Sequence, residues 1–354
     1  MSTEARRALG KLRTLVIKIG SSTLASQPTL PSSIAADLTS GSKPRRVVLV
    51  SSGAIALGFR KLGMRTRPKE MAKLQAAAAA GQSVLMSAWE HAFAEVGTTV
   101  AQVLLTHADF ADRTRANNAR AALSALLDSG AVPILNENDS VSVEEIKFGD
   151  NDRLAALVTP MVEAQLLVLL SDVDGVRTKD GERVDLVHNT QDLLPHLQSK
   201  KSDVGTGGMQ SKIEAARQAT LAGAHVVIAD AKQPQVLTRI LSGEPVGTLF
   251  VPPTKRLSAK KHWIAFTLRP RGTLILDPGA VRALTEQHRS LLPKGVLGIR
   301  GVFAAGDAVS LHDTEGNEVG RARVRMGALE ALQCIGPHES TDEELVHRDD
   351  LVLW

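Results

Sequence analysis

Short apolar runs punctuate the first 250 residues: LRTLVIKI (12–19), VVLV (47–50), TVAQVLL (99–105), VPIL (132–135), LLVLL (166–170) and AHVVIA (224–229). Each has the length of a strand, and most run straight into Gly, Ser, Asn or Asp, residues that break regular structure. Between them, 33–40, 69–96, 115–127, 213–222 and 233–241 read as helices, and another opens at 153. The 69–96 stretch is helical by alanine propensity, and its smooth 76–80 face suits close packing on a second helix or subunit. Strands alternating with helices predict an α/β domain whose mainly parallel sheet is sandwiched by helices.

After 271 the rhythm changes. Short strands at 273–276, 295–299, 308–311 and 319–324, with one helix at 279–291, predict a small, mostly β domain. The intervening GTLFVPPTKRLSAKK (247–261) reads as a closing strand and a basic, proline-bearing linker. The expected division is an α/β domain over 1–258, a linker over 259–270 and the small domain over 271–354.

Chemistry gathers where the apolar runs stop. The 132–135 strand breaks into Asn136-Glu137-Asn138-Asp139, and Gly149-Asp150-Asn151-Asp152 precedes the next helix. In open parallel sheets ligands bind at the carboxyl ends of strands, where these groups fall. Asp152 suits either a helix N-cap or a catalytic role. Lys18 lies inside an otherwise apolar strand beside Gly20-Ser21-Ser22-Thr23. It either reaches solvent from an edge strand or meets an anion at a turn rich in backbone N–H groups. Ser51-Ser52-Gly53-Ala54 repeats the form of strand, small residues, then helix, which admits a ligand close to the backbone or packs the helix tightly.

Ser171-Asp172-Val173-Asp174 after the fifth run is a nucleotide or magnesium contact or a plain turn. The glycine-rich Gly205-Thr206-Gly207-Gly208-Met209-Gln210-Ser211-Lys212 opens a helix. That arrangement suits phosphate, although Ile213 after Lys212 departs from the P-loop pattern; a hinge is the other reading. His107, Asp109 and Asp112 read as loop polarity rather than a metal site, since no second histidine stands at ligand spacing.

Composition narrows the setting. With 354 residues, 43% hydrophobic and 23% charged, the chain fits two domains of an ordinary soluble protein. Its single Cys334 excludes an intrachain disulfide. The opening MSTEARRALGKLRTL lacks the apolar run of a signal peptide, and no stretch approaches the roughly 20 apolar residues of a membrane span. A cytoplasmic location is expected. The formal charge is +4, yet residues 271–354 hold nine Lys and Arg against thirteen Asp and Glu, so the positive excess belongs to the first domain. That favours a small anionic ligand there over RNA on the tail, because phosphate neutralisation needs clustered cations.

KIGSSTL, VSSGAIALG, ILNEND, FGDND and GTGGMQSK, in that order, resemble the amino-acid kinase family. Within it they resemble the branch that phosphorylates the γ-carboxylate of L-glutamate at the head of proline biosynthesis. The tail, with GTLILDPGA, SLLPKGVLGIRGVF and GDAVSLHDTEGNEVGRARV, is similar to a PUA domain. The resemblance implies ATP and Mg2+, with Lys18 and Lys212 flanking the transferring phosphoryl group and Asp152 holding both lysines. It implies a glutamate site of Ser52, Gly53, Asn136, Asp139 and Asn151, with Asp139 taking the ammonium. It implies an ATP site of Lys18, Ser171, Asp172, Thr206, Gly207, Gly208, Met209, Gln210, Ser211 and Lys212. No protein ligand of the metal is assigned. Feedback inhibition by proline and a glutamyl phosphate reductase taking the product are further implications, and the alanine-rich 69–96 helix leads us to expect a homo-oligomer (dimer or tetramer). One departure stands out: Arg323 and Met326 occupy PUA positions where a glycine and an aromatic are expected, which weighs against RNA binding by the tail.

Overall fold

The computed structural model describes residues 2–40, 44–141, 150–193, 208–335 and 343–354. Contacts divide the chain into two units, Met1–Arg256 and Leu257–Trp354. The first runs α1 (Ser2–Ala8), β1 (Thr14–Ile19), α2 (Ser21–Ser26), α3 (Leu30–Thr39), β2 (Arg46–Ser51), α4 (Ala54–Lys61) and α5 (Met71–Ala94). It continues through β3 (Val100–Leu105), α6 (His107–Ala111), α7 (Arg113–Asp128), β4 (Val132–Glu137), α8 (Asp150–Met161) and β5 (Leu166–Ser171). β6 (Leu186–Val187), α9 (Thr190–Leu193), α10 (Met209–Leu221), β7 (His225–Asp230), α11 (Val236–Ser242) and β8 (Thr248–Phe250) complete it.

These strands form one sheet in the order β3-β4-β2-β1-β5-β7-β8-β6, parallel throughout except where β8 runs against β7. Strand geometry sends alternate side chains to opposite faces. Leu15, Ile17 and Ile19 of β1 join one core with Val47 and Leu49 of β2, Ile34 of α3 and Trp89 and Phe93 of α5. Val16, Val48 and Val50 join the other, with Leu154 and Ala155 of α8 and Ile213 and Ala216 of α10. Lys18 shares the face of Val16, so the period of two delivers its ammonium to the side covered by α8 and α10.

Some expectations change. The Gly-Ser-Ser-Thr stretch after β1 is a helix, α2, with Gly20 as its extended N-cap. The polar trio after β3 is not loose loop: Asp109 closes a capping box with Thr106 on α6, and Asp112 caps α7 by accepting from the Arg115 N–H. Asp152 is not a cap either, since it is the third residue of α8. No helix among the described residues is long and apolar enough to cross a membrane.

In the second unit α12 (Ala259–His262) leads to β9 (Gly272–Leu276), α13 (Pro278–Thr285), β10 (Val296–Gly301), β11 (Ala308–His312), β12 (Glu318–Arg323), α14 (Ala328–Cys334) and β13 (Leu351–Leu353). Residues 259–262, within the stretch read as a linker, are therefore helical, and they belong to this unit. The sheet order is β10-β9-β11-β12-β13, antiparallel except between β9 and β11. Met326, standing where an aromatic is expected, is buried in this unit's core beside Phe303 and Val324, and Arg323 ion-pairs with Asp350 at 3.4 Å.

Candidate active site

Three buried charges meet at the carboxyl end of β1. Lys18 Nζ lies 2.6 Å from Asp152 Oδ1, and Lys212 Nζ lies 3.3 Å from Asp152 Oδ2. Ser211 Oγ donates to the same Oδ2 at 2.9 Å. Lys18 pairs in register with Val50 of β2 and Leu169 of β5, so it stands on a central strand, and the edge-lysine reading falls. Lys18, Asp152 and Lys212 are 6%, 0% and 5% exposed, so ions on three separate elements have been withdrawn from water together. Lone buried charges are costly, and pairing is what makes this arrangement tolerable.

The electrostatics are asymmetric. Burial pushes the Lys18 ammonium below its ordinary value; Asp152 opposes the fall and the like charge of Lys212 reinforces it. Burial alone would raise the Asp152 carboxyl, yet the two ammoniums and the bonds they and Ser211 donate outweigh it and hold it below the usual carboxylate range. Two cations facing one anion leave an excess positive charge in a low-dielectric place. A site so built attracts a further anion, and a phosphoryl group in transfer is one that also needs charge neutralised.

Beside this trio, Asn151 Nδ2 donates to Ser52 Oγ at 2.7 Å and to Asn136 Oδ1 at 3.0 Å, and the Glu137 N–H donates to that Oδ1 at 2.9 Å. The ends of β2 and β4 and the first turn of α8 are thus tied into one polar network. Asn151 Oδ1 is buried with no hydrogen-bond partner among the described residues, an acceptor available to a ligand donor such as an ammonium. Gly53, N-cap of α4, has φ 115°, a conformation that strains any residue with a Cβ. Asp139 interacts electrostatically with Arg67 from the loop between α4 and α5.

On the far side of Lys18, Ser171 Oγ donates to Asp172 Oδ1 at 3.0 Å, and Asp172 adds a favourable charge to Lys18. Gly208 is the N-cap of α10, so Met209, Gln210, Ser211 and Lys212 form its first turn, in which the Ser211 and Lys212 N–H groups donate back to the Gly208 carbonyl at 3.1 and 3.5 Å. Thr206 and Gly207 lie outside the described residues. Lys18, Asp152, Ser211 and Lys212 meet directly, Ser52, Asn136 and Asn151 share one network, and Gly53, Asp139 and Asp172 follow the ends of β2, β4 and β5 in the chain.

Sequence reasoning missed the supports behind them. The indole N–H of Trp89, itself 0% exposed, donates at 2.8 Å to the hydroxyl of Ser51, the residue before Ser52. A buried tryptophan wants such a partner, but nothing in the chain says which one. α4 and α5 cross backbone on backbone: a Cβ on Gly58 would lie 1.7 Å from the Ala77 carbonyl oxygen, and one on Gly81 equally close to that of Ala54. Glycines inside helical patterns were the available signal.

Comparison with known proteins agrees with this geometry. A family model described as the amino acid kinase family matches residues 13–230, and one for the PUA domain matches 272–341. The chain is 47% identical over 323 residues to a glutamate 5-kinase of Ectopseudomonas mendocina, covering 87% of each chain. It is 44% identical over 359 residues to that of Thermus thermophilus, covering 96% of each. The fold of the first unit is similar to carbamate kinase from Giardia lamblia bound to AMP-PNP, with a TM-score of 0.50 at 17% identity over 69% of this chain and 100% of that one. The chain therefore belongs to the amino acid kinase family, as an enzyme of phosphoryl transfer with a PUA domain behind its kinase domain.

Proposed function

We propose that the chain transfers the γ-phosphoryl group of ATP to the γ-carboxylate of L-glutamate, giving L-glutamyl 5-phosphate and ADP. The observation that carries this reading is the buried Lys18–Asp152–Lys212 trio beside the Ser52–Asn136–Asn151 network. Relatives at this level of identity named glutamate 5-kinase support the choice of acceptor.

A carboxylate is already a nucleophile, so the site needs no strong base. Asp152, bound to two ammoniums and held ionised, orients them instead of accepting a proton. Lys18 and Lys212 neutralise the equatorial oxygens as charge spreads over the phosphoryl group in flight. Asn151 Oδ1 and Asp139 are the acceptors for the substrate ammonium, and Ser52 and Gly53 line the same end of the sheet. The first turn of α10, with Ser171 and Asp172, faces the nucleotide.

Magnesium would enter on the nucleotide. Among the described residues no group of three or more His, Cys, Asp or Glu would hold a cation alone. That is compatible with an ion bound through substrate phosphates, water and one or two carboxylates, and Asp172 is the acid at hand beside Lys18. Asp172 and the nucleotide phosphates would hold such an ion, and it would supply charge neutralisation there.

The product places the reaction at the head of proline biosynthesis, with proline as feedback inhibitor, a homo-oligomeric enzyme and a reductase taking the labile acyl phosphate. Incubation with ATP, magnesium, L-glutamate and hydroxylamine tests the central reading. γ-Glutamyl hydroxamate should form in step with ADP; ADP released without hydroxamate, or neither product from folded protein, would sink it.

A further inference from the structure

Gly20 is a glycine that its own backbone does not require. Its φ of −73° and ψ of 151° are open to any residue, unlike the left-handed Gly53. Nor does crowding demand it. Among the described residues, its chain neighbours aside, a Cβ built there would meet nothing nearer than 3.6 Å, whereas at Gly58 or Gly81 it would strike a carbonyl. What glycine preserves at position 20 is a methyl-sized space, and its lining is polar. The three atoms nearest to that point are Thr23 Oγ1 at 3.6 Å, the Leu170 carbonyl oxygen at 3.8 Å and Lys18 Nζ at 4.0 Å.

One of these atoms has an unmet need. Thr23 is 1% exposed, and its hydroxyl has no hydrogen-bond partner among the described residues. A buried hydroxyl in that condition calls for an explanation, and a water held between two to four polar groups is the common one. The chemistry of the lining favours water over a phosphoryl oxygen. The Leu170 carbonyl can only accept, so the occupant must donate to it while also accepting from an ammonium.

We infer that Thr23 and Gly20 are positioning residues for Lys18, acting through one water bound to the Thr23 hydroxyl, the Leu170 carbonyl and the Lys18 ammonium. Asp152 Oδ1 pairs with the ammonium at 2.6 Å and occupies one side of it. The water takes another side, which aims the remainder at the transferring phosphoryl group. The inference rests on the proposed role of Lys18 in that transfer.

Two measurements test it, one of them independent of activity. A high-resolution crystal structure of the wild-type protein should contain an ordered water within hydrogen-bond distance of Thr23 Oγ1, Leu170 O and Lys18 Nζ. A dry space or a different occupant would overturn the inference, even from a preparation that phosphorylates nothing. In kinetics, Thr23→Val keeps the shape and removes the hydroxyl. It should lower kcat about tenfold, as the water released with the hydroxyl takes its hydrogen bond to the ammonium with it, and leave the KM for glutamate unchanged.

A merely structural role would not move the pH profile. Among the described residues the charged groups facing Lys18 are Asp152 on α8, Lys212 on α10 and Asp172 beyond β5. All three survive in the variant, while the ammonium loses a partner that favours its charged form. The basic limb of the kcat profile should therefore move to lower pH in Thr23→Val and return in Thr23→Ser. Gly20→Ala, which fits without a clash and fills the space, should shift the limb the same way. Wild-type turnover and an unmoved limb in both Thr23→Val and Gly20→Ala would refute the role while leaving the glutamate kinase reading intact.

Discussion

Replacing Asp152 by asparagine keeps the shape of the side chain and deletes its charge, which isolates what the carboxylate contributes. In the native site it attracts two ammoniums at 2.6 and 3.3 Å. With an effective dielectric of about 20, each attraction is roughly 5–6 kcal/mol before dehydration is subtracted. Dehydrating ions takes back several kcal/mol apiece, so the pair contributes far less net than gross. Removing one partner is different, because Lys18 and Lys212 stay buried at 6% and 5% exposure and repel each other. The expected destabilisation of the kinase unit is about 3–5 kcal/mol at neutral pH. Turnover should fall about 100-fold or more as the ammoniums lose their common anchor.

The pH dependence gives this prediction its sharpest form. The folded-state pKa of Asp152 is depressed below 3.8, so the stability it supplies is fully present above that value and is lost as pH falls through the folded pKa. Below that point the wild type carries a neutral carboxyl and resembles the asparagine variant. The stability gap should be level around neutrality and close in acid. Lys18 works in the opposite sense: its lowered pKa means that its burial weakens the fold until pH rises through the folded value toward 10.5. That alkaline gain should be larger in Asp152→Asn, where only the charge of Asp172 still opposes desolvation. Urea titrations at several pH values can follow Trp89, the tryptophan of the first unit, in a background where Trp263 and Trp354 are phenylalanine. A gap that persists unchanged into strong acid, or a variant as stable as wild type at pH 7, would refute the charge argument.

Two further outcomes follow from the same geometry. Lys212→Ala should lower kcat by two orders of magnitude or so while leaving the KM for glutamate near its wild-type value, because the charge is needed mainly in transfer; an unchanged turnover number would remove Lys212 from the mechanism. Gly81→Ala places a Cβ 1.7 Å from the Ala54 carbonyl oxygen and 2.8 Å from the Gly58 nitrogen, so α4 must retreat from α5. Overpacking of this kind costs about 1–3 kcal/mol, and because α4 begins at Gly53 the KM for glutamate should rise with it; thermal melts and saturation curves matching wild type would show that the crossing does not position the loop.

How far the site was visible beforehand depends on the range of the forces that make it. The strands were readable because burial on both faces demands uninterrupted apolar runs, and Lys18 was conspicuous as a charge near the carboxyl end of such a run. Asp152, Asn151 and Asn136 were readable because polar groups must stop a buried strand and start the next helix. What the chain concealed is which partner each of them takes. Asp152 looked like a cap because a carboxylate at a helix N-terminus usually has unpaired N–H groups as its nearest donors. The carboxylate faces two ammoniums instead, delivered by β1 and α10 from positions 134 residues before it and 60 residues after it. α2 was hidden for a related reason, since Gly-Ser-Ser-Thr has poor helix propensity and the segment is secured by packing, with Leu24 set against the first core. Trp89 shows the same limit from the apolar side, since only the folded sheet puts Ser51 within reach of its N–H. Local pattern therefore determined which atoms reach the carboxyl ends of the strands. The pairings that turn those atoms into a charge-neutralising site are long-range, and they exist only once β1, α8 and α10 have met.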